Sequence, residues 1–162
     1  MPTPLEIERK YLIEYPDISW LESCPDIPRS EIIQTYLLAS PGEERRVRMR
    51  REEECVTYYY TIKRKVTAVT REELETVITK TQYDAYLSEA DPQKHPLHKT
   101  RYCVPCGDVC VEIDVYPFWQ HQAIAEVELE REDASVMFPP EIKVIREVTG
   151  ETAYKNSELA KQ

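Results

Sequence analysis

The chain has 162 residues, 31% of them charged, with a formal net charge of -9. That length suits one domain, residues 1–162, with a substantial core, and the acidic balance argues against nonspecific binding to nucleic acid or an anionic membrane surface, so any cationic site has to be local. No apolar run reaches the length of a membrane span, and residues 1–6 lack the basic and apolar regions of a signal peptide, which predicts a cytoplasmic protein whose five cysteines are reduced thiols.

Leu5 to Ile13 alternates apolar and charged residues with the period of a strand, placing Glu6, Glu8 and Lys10 on one face and Leu5, Ile7, Tyr11 and Ile13 on the other, past a slip at Arg9. A single such strand is ordinary for an antiparallel sheet with a solvated face, so its weight depends on repetition. Residues 17–24, between Pro16 and Pro25, predict a short helix over the sheet, and 31–38 a strand ended by Ser40-Pro41-Gly42. Arg46, Arg48 and Arg50 then alternate with Val47 and Met49. Three guanidinium groups on one strand face repel each other unless something anionic neutralises them.

After a drawn-out connection over 52–56, residues 57–65 form a Tyr-rich strand carrying Thr61 and Lys63, and Glu73 and Glu75 share a face of the strand over 72–78. Residues 81–90 read as a helix with a Thr N-cap, broken at 91–96. Lys99 and Arg101 lie on one strand of a hairpin turning at Pro105-Cys106-Gly107-Asp108, and Glu112 and Asp114 alternate along its return strand. Glu126, Glu128 and Glu130 share a face of the strand over 123–130. A helical turn over 133–138, a short apolar segment over 142–148 and a C-terminal helix over 151–161 complete the chain.

Nearly every strand thus has one apolar and one charged face. Closing such a sheet into a barrel with the charged faces inward gives a wet lumen of carboxylates and cations, its apolar outside covered by the short helices. Oxygen-only acidic clusters suit Mg²⁺ or Mn²⁺, and Arg and Lys clusters suit phosphate oxygens. A site holding both suits a polyphosphate bridged by a divalent metal.

The ordered set of Glu6-x-Glu8-x-Lys10, Arg46-Val47-Arg48, Thr61-Ile62-Lys63, Glu73/Glu75, Lys99-Thr100-Arg101-Tyr102, Glu112-Ile113-Asp114, Glu126-Val127-Glu128, Thr149-Gly150 and Tyr154-Lys155-Asn156 resembles the CYTH superfamily, the triphosphate tunnel metalloenzymes, from Leu5 to about Ala160. The resemblance implies a mainly β protein, a closed eight-stranded antiparallel barrel forming a tunnel, with a divalent-metal requirement. It implies metal ligation by Glu6, Glu8, Glu126 and Glu128, with Asp114 and Glu75 next, and a phosphate cradle of Lys10, Arg46, Arg48, Lys63, Lys99 and Arg101. Glu6, Glu8, Lys10, Glu126 and Glu128 are then the catalytic candidates. Arg50 continues the basic face toward a tunnel mouth.

The reading that follows is a Mg²⁺- or Mn²⁺-dependent hydrolase of triphosphates, foremost inorganic tripolyphosphate to pyrophosphate and phosphate. Its partner is a small-molecule triphosphate, with no nucleic acid or membrane, and the protein is a monomer or homodimer. Adenylate cyclase or thiamine triphosphatase chemistry on the same site is an alternative, as is a noncatalytic polyphosphate- or nucleotide-binding module. Against the module stands every acidic pair, because carboxylates weaken anion binding unless metal is present. A zinc site from Cys103, Cys106 and Cys110 with His95 and His98 is the weaker reading of a hairpin whose turn already explains Pro105 and Gly107.

Overall fold

Period-two alternation becomes nine strands in the computed structural model, which describes residues 5–162. The strands are β1 (Leu5–Glu14), β2 (Arg29–Leu37), β3 (Glu43–Glu52), β4 (Cys55–Lys65), β5 (Thr70–Ile78), β6 (Leu97–Cys106), β7 (Val109–Val115), β8 (Gln122–Glu128) and β9 (Val144–Glu147). Three short helices accompany them, α1 (Ile18–Ser23), α2 (Lys80–Tyr86) and α3 (Asn156–Leu159). Pairing is antiparallel throughout in the order β5-β4-β3-β2-β6-β7-β8-β1-β9, and a β5–β1 ladder closes eight of the strands into a barrel. The closing edge of β1 is shared: Leu5–Ile7 pairs with β5, and Tyr11–Ile13 with the extra strand β9.

Register decides what the barrel encloses. Glu8 lies opposite Glu128 and Lys10 opposite Glu126, Arg101 opposite Asp114, Arg46 opposite Thr61, and Lys63 opposite Glu73. Because side chains alternate with period two, one such match at each ladder turns every charged face inward. The outer face holds the main apolar core, in which Tyr11, Ile13, Tyr102, Val111, Ile113 and Val127 pack beneath Leu21 of α1.

Several expectations are corrected. Arg9 marks no slip: it keeps the outward phase, where Nη2 donates to the Glu132 carbonyl at 2.7 Å. Residues 133–138 form no helical turn; they run irregularly over the outer core, pinned by Phe138 edge-on to Tyr11 at 4.9 Å, so coil as well as helix covers the barrel. The connection over 52–56 is a two-residue turn at Glu53-Glu54, with Glu53 in the left-handed region at φ 53°. Helix α2 begins earlier than expected, because Thr79 rather than Thr81 forms a reciprocal capping box with Gln82. The strand carrying Glu126 ends at Glu128, leaving Glu130 exposed beyond it.

The expected C-terminal helix over 151–161 is a 3₁₀ turn (Thr152–Tyr154) followed by the single turn of α3. It does not lie outside the barrel. Leu159 and Ala160 pack on Leu12, Tyr36, Leu97, Tyr116 and Ile124, which are the inward residues at one end of the strands, so the lumen is stoppered there by apolar contact. The Tyr116 hydroxyl also donates to Asn156 Oδ1, and Lys10 Nζ to the Tyr154 carbonyl at 3.1 Å, tying the stopper to the charged interior.

Candidate active site

A cavity of about 460 Å³ occupies the lumen above the stopper. Glu6, Glu8, Lys10, Arg46, Arg48, Lys63, Glu75, Lys99, Arg101, Glu126 and Glu128 all line it, as do Arg50, Glu112 and Lys155. Asp114 is the exception. It is fully buried behind Lys99 and Arg101, with Lys99 Nζ at 2.8 Å from Oδ2 and the Arg101 guanidinium donating from Nε to Oδ1 at 2.7 Å and from Nη2 to Oδ2 at 2.9 Å. Arg101 Nη1 also reaches Glu112 at 2.6 Å. Burial opposes ionisation of Asp114, but Arg101 and Lys99 overcome it and hold the carboxyl below its ordinary range. At Lys99 burial still outweighs Asp114 and brings the ammonium down to about 8, while Arg101 is held above its ordinary value, so the β6–β7 wall is an ion-pair knot centred on Asp114.

The β3 wall differs. Arg46 is buried, yet it makes no ion pair among the described residues and its Nε has no hydrogen-bond partner. Arg48 is buried beside it, with an unpartnered Nε and one long contact to Glu75 at 3.4 Å. Burial, reinforced by Arg46 and Arg101, brings the Arg48 guanidinium down to about 10, whereas at Arg46 burial is outweighed by Tyr36, Glu44 and Glu73, which hold it above its ordinary value. Lys63 is better served, at 3.0 Å from Glu6. Arg50 sits nearer the open mouth, bound to Ser30 at 3.0 Å and Glu52 at 2.7 Å.

The acids divide in the same way. Burial opposes ionisation of Glu6, but the hydrogen bond from Glu73 and the charge of Lys63 take it to about 2. Burial and the bond shared with Glu6 push Glu73 up to about 8. Burial of Glu126 is outweighed by Lys10 at 3.5 Å and by Arg101 at 3.7 Å, which keep it ionised. Glu8 and Glu128 face each other across β1 and β8 and make no side-chain hydrogen bond or ion pair among the described residues. Burial, then the neighbouring Glu126, pushes Glu8 up to about 8; burial with Glu6 and Glu112 raises Glu128 too. Two carboxyls raised first by burial and then by neighbouring carboxylates, with no ion pair among the described residues, are short of a cation.

That shortage is the structural test of the implied metal. Among the described residues no three His, Cys, Asp or Glu side chains are drawn into a closed cage. Mg²⁺ is ordinarily held by one or two carboxylates, with water and substrate oxygens completing its shell. Glu8 and Glu128, flanked by Glu126 and Glu6, offer an oxygen-only donor set of that kind. The cysteines do not: Cys106 Sγ is spent on the Met137 carbonyl at 3.2 Å.

Glu44 and Arg71 were missed at the sequence level as lumen residues, whereas Thr61 was placed beside Lys63. Thr61 Oγ1 donates to Glu75 at 3.1 Å, and Glu44 and Arg71 line the cavity. Extending the two-residue period one step outward from Arg46 and from Glu73 would have found the last two.

A model of the CYTH domain matches residues 4–161. The structure of the inorganic triphosphatase NE1496 is similar over 100% of this chain and 97% of that one, with 28% identity and a TM-score of 0.57. The PH1819 protein from Pyrococcus horikoshii OT3 is similar over 79% of this chain and 80% of its own, with 19% identity and a TM-score of 0.56. HpAC1 from Hippeastrum, a protein with a dominant triphosphatase activity, is similar over 77% of this chain and 80% of its own at 12% identity and a TM-score of 0.53. These last two likenesses are of fold. No curated protein matches the sequence. No helix among the described residues is long and apolar enough to cross a membrane.

Proposed function

The chain belongs to the CYTH family, and from that premise we propose that residues 1–162 form one domain that hydrolyses triphosphates with a divalent metal, Mg²⁺ or Mn²⁺, taking inorganic tripolyphosphate to pyrophosphate and orthophosphate. One observation carries this reading: the same cavity holds a buried arginine, Arg46, and a facing pair of carboxylates, Glu8 and Glu128, none of which makes an ion pair among the described residues. A metal-bound triphosphate satisfies both at once. Full-length similarity to an inorganic triphosphatase at 28% identity supports the choice of substrate class.

In this reading Arg46 and Arg48 grip the phosphate chain from β3, with Lys63, Lys99, Arg101 and Lys10 neutralising charge from the other walls. Glu6, Glu8, Glu126 and Glu128 would hold the metal, which would supply charge to polarise the phosphoryl oxygens and to activate water. Glu8 and Glu128, which make no ion pair among the described residues, would be the carboxylates that gain most from that charge. Lys10, fixed by Glu126 and the Tyr154 carbonyl, keeps an ammonium beside them. Asp114 and Glu75 act through the cations they hold rather than as metal ligands, since both Asp114 oxygens are taken by Lys99 and Arg101 and Glu75 is engaged by Arg48 and Thr61.

The test is a substrate panel. Phosphate release from tripolyphosphate, ATP and thiamine triphosphate is measured with Mg²⁺, with Mn²⁺ and with chelator. Metal-dependent release, fastest from tripolyphosphate, is expected. No release from any of the three would leave a binding module, and full turnover in chelator would remove the metal from the reading.

A further inference from the structure

The stoppered end of the barrel is not sealed all round. Beside α3 the lumen continues into a smaller cavity of about 280 Å³, between the tip of the β4–β5 hairpin, the start of β3 and the C-terminal segment. Its charged lining is Lys63, Lys65, Arg71 and Lys155 with the acids Glu43 and Glu44. Lys65 and Arg71 lie directly opposite each other in the β4–β5 ladder on the inward face, an arrangement that destabilises a sheet when both residues carry the same charge. Lys65, Arg71 and Lys155 make no ion pair among the described residues. Burial, and then Arg71 and Lys65, lowers the Lys155 ammonium below its ordinary value. The facing acid from β3, Glu44, is shared among Arg46, Lys63 and Arg71, and Glu43 is taken by Arg64 at 2.8 Å. In a chain with net charge -9, three convergent cations that make no ion pair among the described residues and have one nearby acid, Glu44, shared with Arg46 and Lys63, mark a place for an anion.

We propose that Lys65, Arg71 and Lys155 form a second anion subsite, behind the triphosphate cradle, that takes a single phosphate group. This rests on the triphosphatase reading for the group's origin. Arg71 and Lys155 line both this cavity and the main one, so the rear cations adjoin the triphosphate site, and orthophosphate released there has a neighbouring place to bind while pyrophosphate remains on the β3 arginines. The terminal phosphate of a longer chain offers the same chemistry.

The test is orthophosphate binding by calorimetry, with the full chain and no tripolyphosphate. Lys65→Gln and Arg71→Gln are each expected to weaken orthophosphate by about tenfold, the loss of one charge-assisted contact, whereas Arg46→Gln leaves it unchanged and instead weakens tripolyphosphate. Lys65 is exposed, and its replacement relieves the cross-strand repulsion, so the variant is expected to melt no lower than the wild type. Orthophosphate affinity that follows Arg46 and ignores Lys65 and Arg71 would overturn the subsite. The binding arm stands even if the substrate panel shows no hydrolysis. With activity, orthophosphate inhibition lost in Lys65→Gln assigns the product as occupant. A preference for tetrapolyphosphate over tripolyphosphate lost in that variant assigns the chain end.

Discussion

Two walls of one cavity carry buried arginine, and they are built to opposite ends. On β6 and β7, Lys99 and Arg101 are locked onto the fully buried Asp114, and Arg101 onto Glu112 as well. On β3, Arg46 has no ion pair among the described residues, and Arg48 has a long contact with Glu75 and lies over the Tyr59 ring at 5.2 Å. Desolvating a charge is costly, so a buried cation persists without a partner only where the rest of the fold over-determines its position. The knot holds the barrel together in the absence of ligand; the β3 arginines, with Glu8 and Glu128 facing them, are held ready at the expense of stability.

The comparison breaks most visibly at Asp114. Asp114→Ala strands two buried cations, and a loss of about 3–5 kcal/mol is expected in urea unfolding. A loss below about 1 kcal/mol would mean that the knot holds nothing. Leu159→Ala, in the stopper, removes a side chain only 2% exposed, with an expected cost of about 2–5 kcal/mol. Against these, Glu8→Gln is expected to change metal-free stability by about 0.5 kcal/mol or less, because an isosteric amide replaces a carboxyl with no partner to lose. The same variant is expected to lose most of the rise in melting temperature that Mg²⁺ with tripolyphosphate gives the wild type. A fully preserved rise would place Glu8 outside the metal site. Smallest of all is Arg50→Gln at the open mouth, where the Glu52 partner is half exposed and about 0.5 kcal/mol or less is expected.

Strand phase was the most legible property of the sequence. Strict alternation in Arg46-Val47-Arg48 and in Glu112-Ile113-Asp114 fixes which residues share a face, and one buried face leaves a single register for each ladder. The division of labour within that face was not legible. Lys99 and Arg46 look alike in the chain; only the β6–β7 ladder, which sets Arg101 against Asp114, makes one cation structural and leaves the other free. Leu12 and Ile124 interrupt the charged faces of β1 and β8 and signal the apolar stopper, but what fills that end depends on a C-terminal segment too short to show helical periodicity. The helical turn expected over 133–138 is coil, because its apolar residues Ala134, Val136 and Phe138 all serve one outer core and Pro139-Pro140 bars a helix from continuing.

The most direct test is the rise in melting temperature on adding Mg²⁺ and tripolyphosphate to the wild type and to Arg46→Gln, since a ligand that binds only the folded state stabilises it by mass action. The expected result is a clear rise for the wild type and a much smaller one for Arg46→Gln, whose ligand-free melting temperature is no lower than the wild type's. Equal rises in the two proteins, or a ligand-free Arg46→Gln that melts well below the wild type, would contradict the assignment of the unpaired β3 wall to substrate.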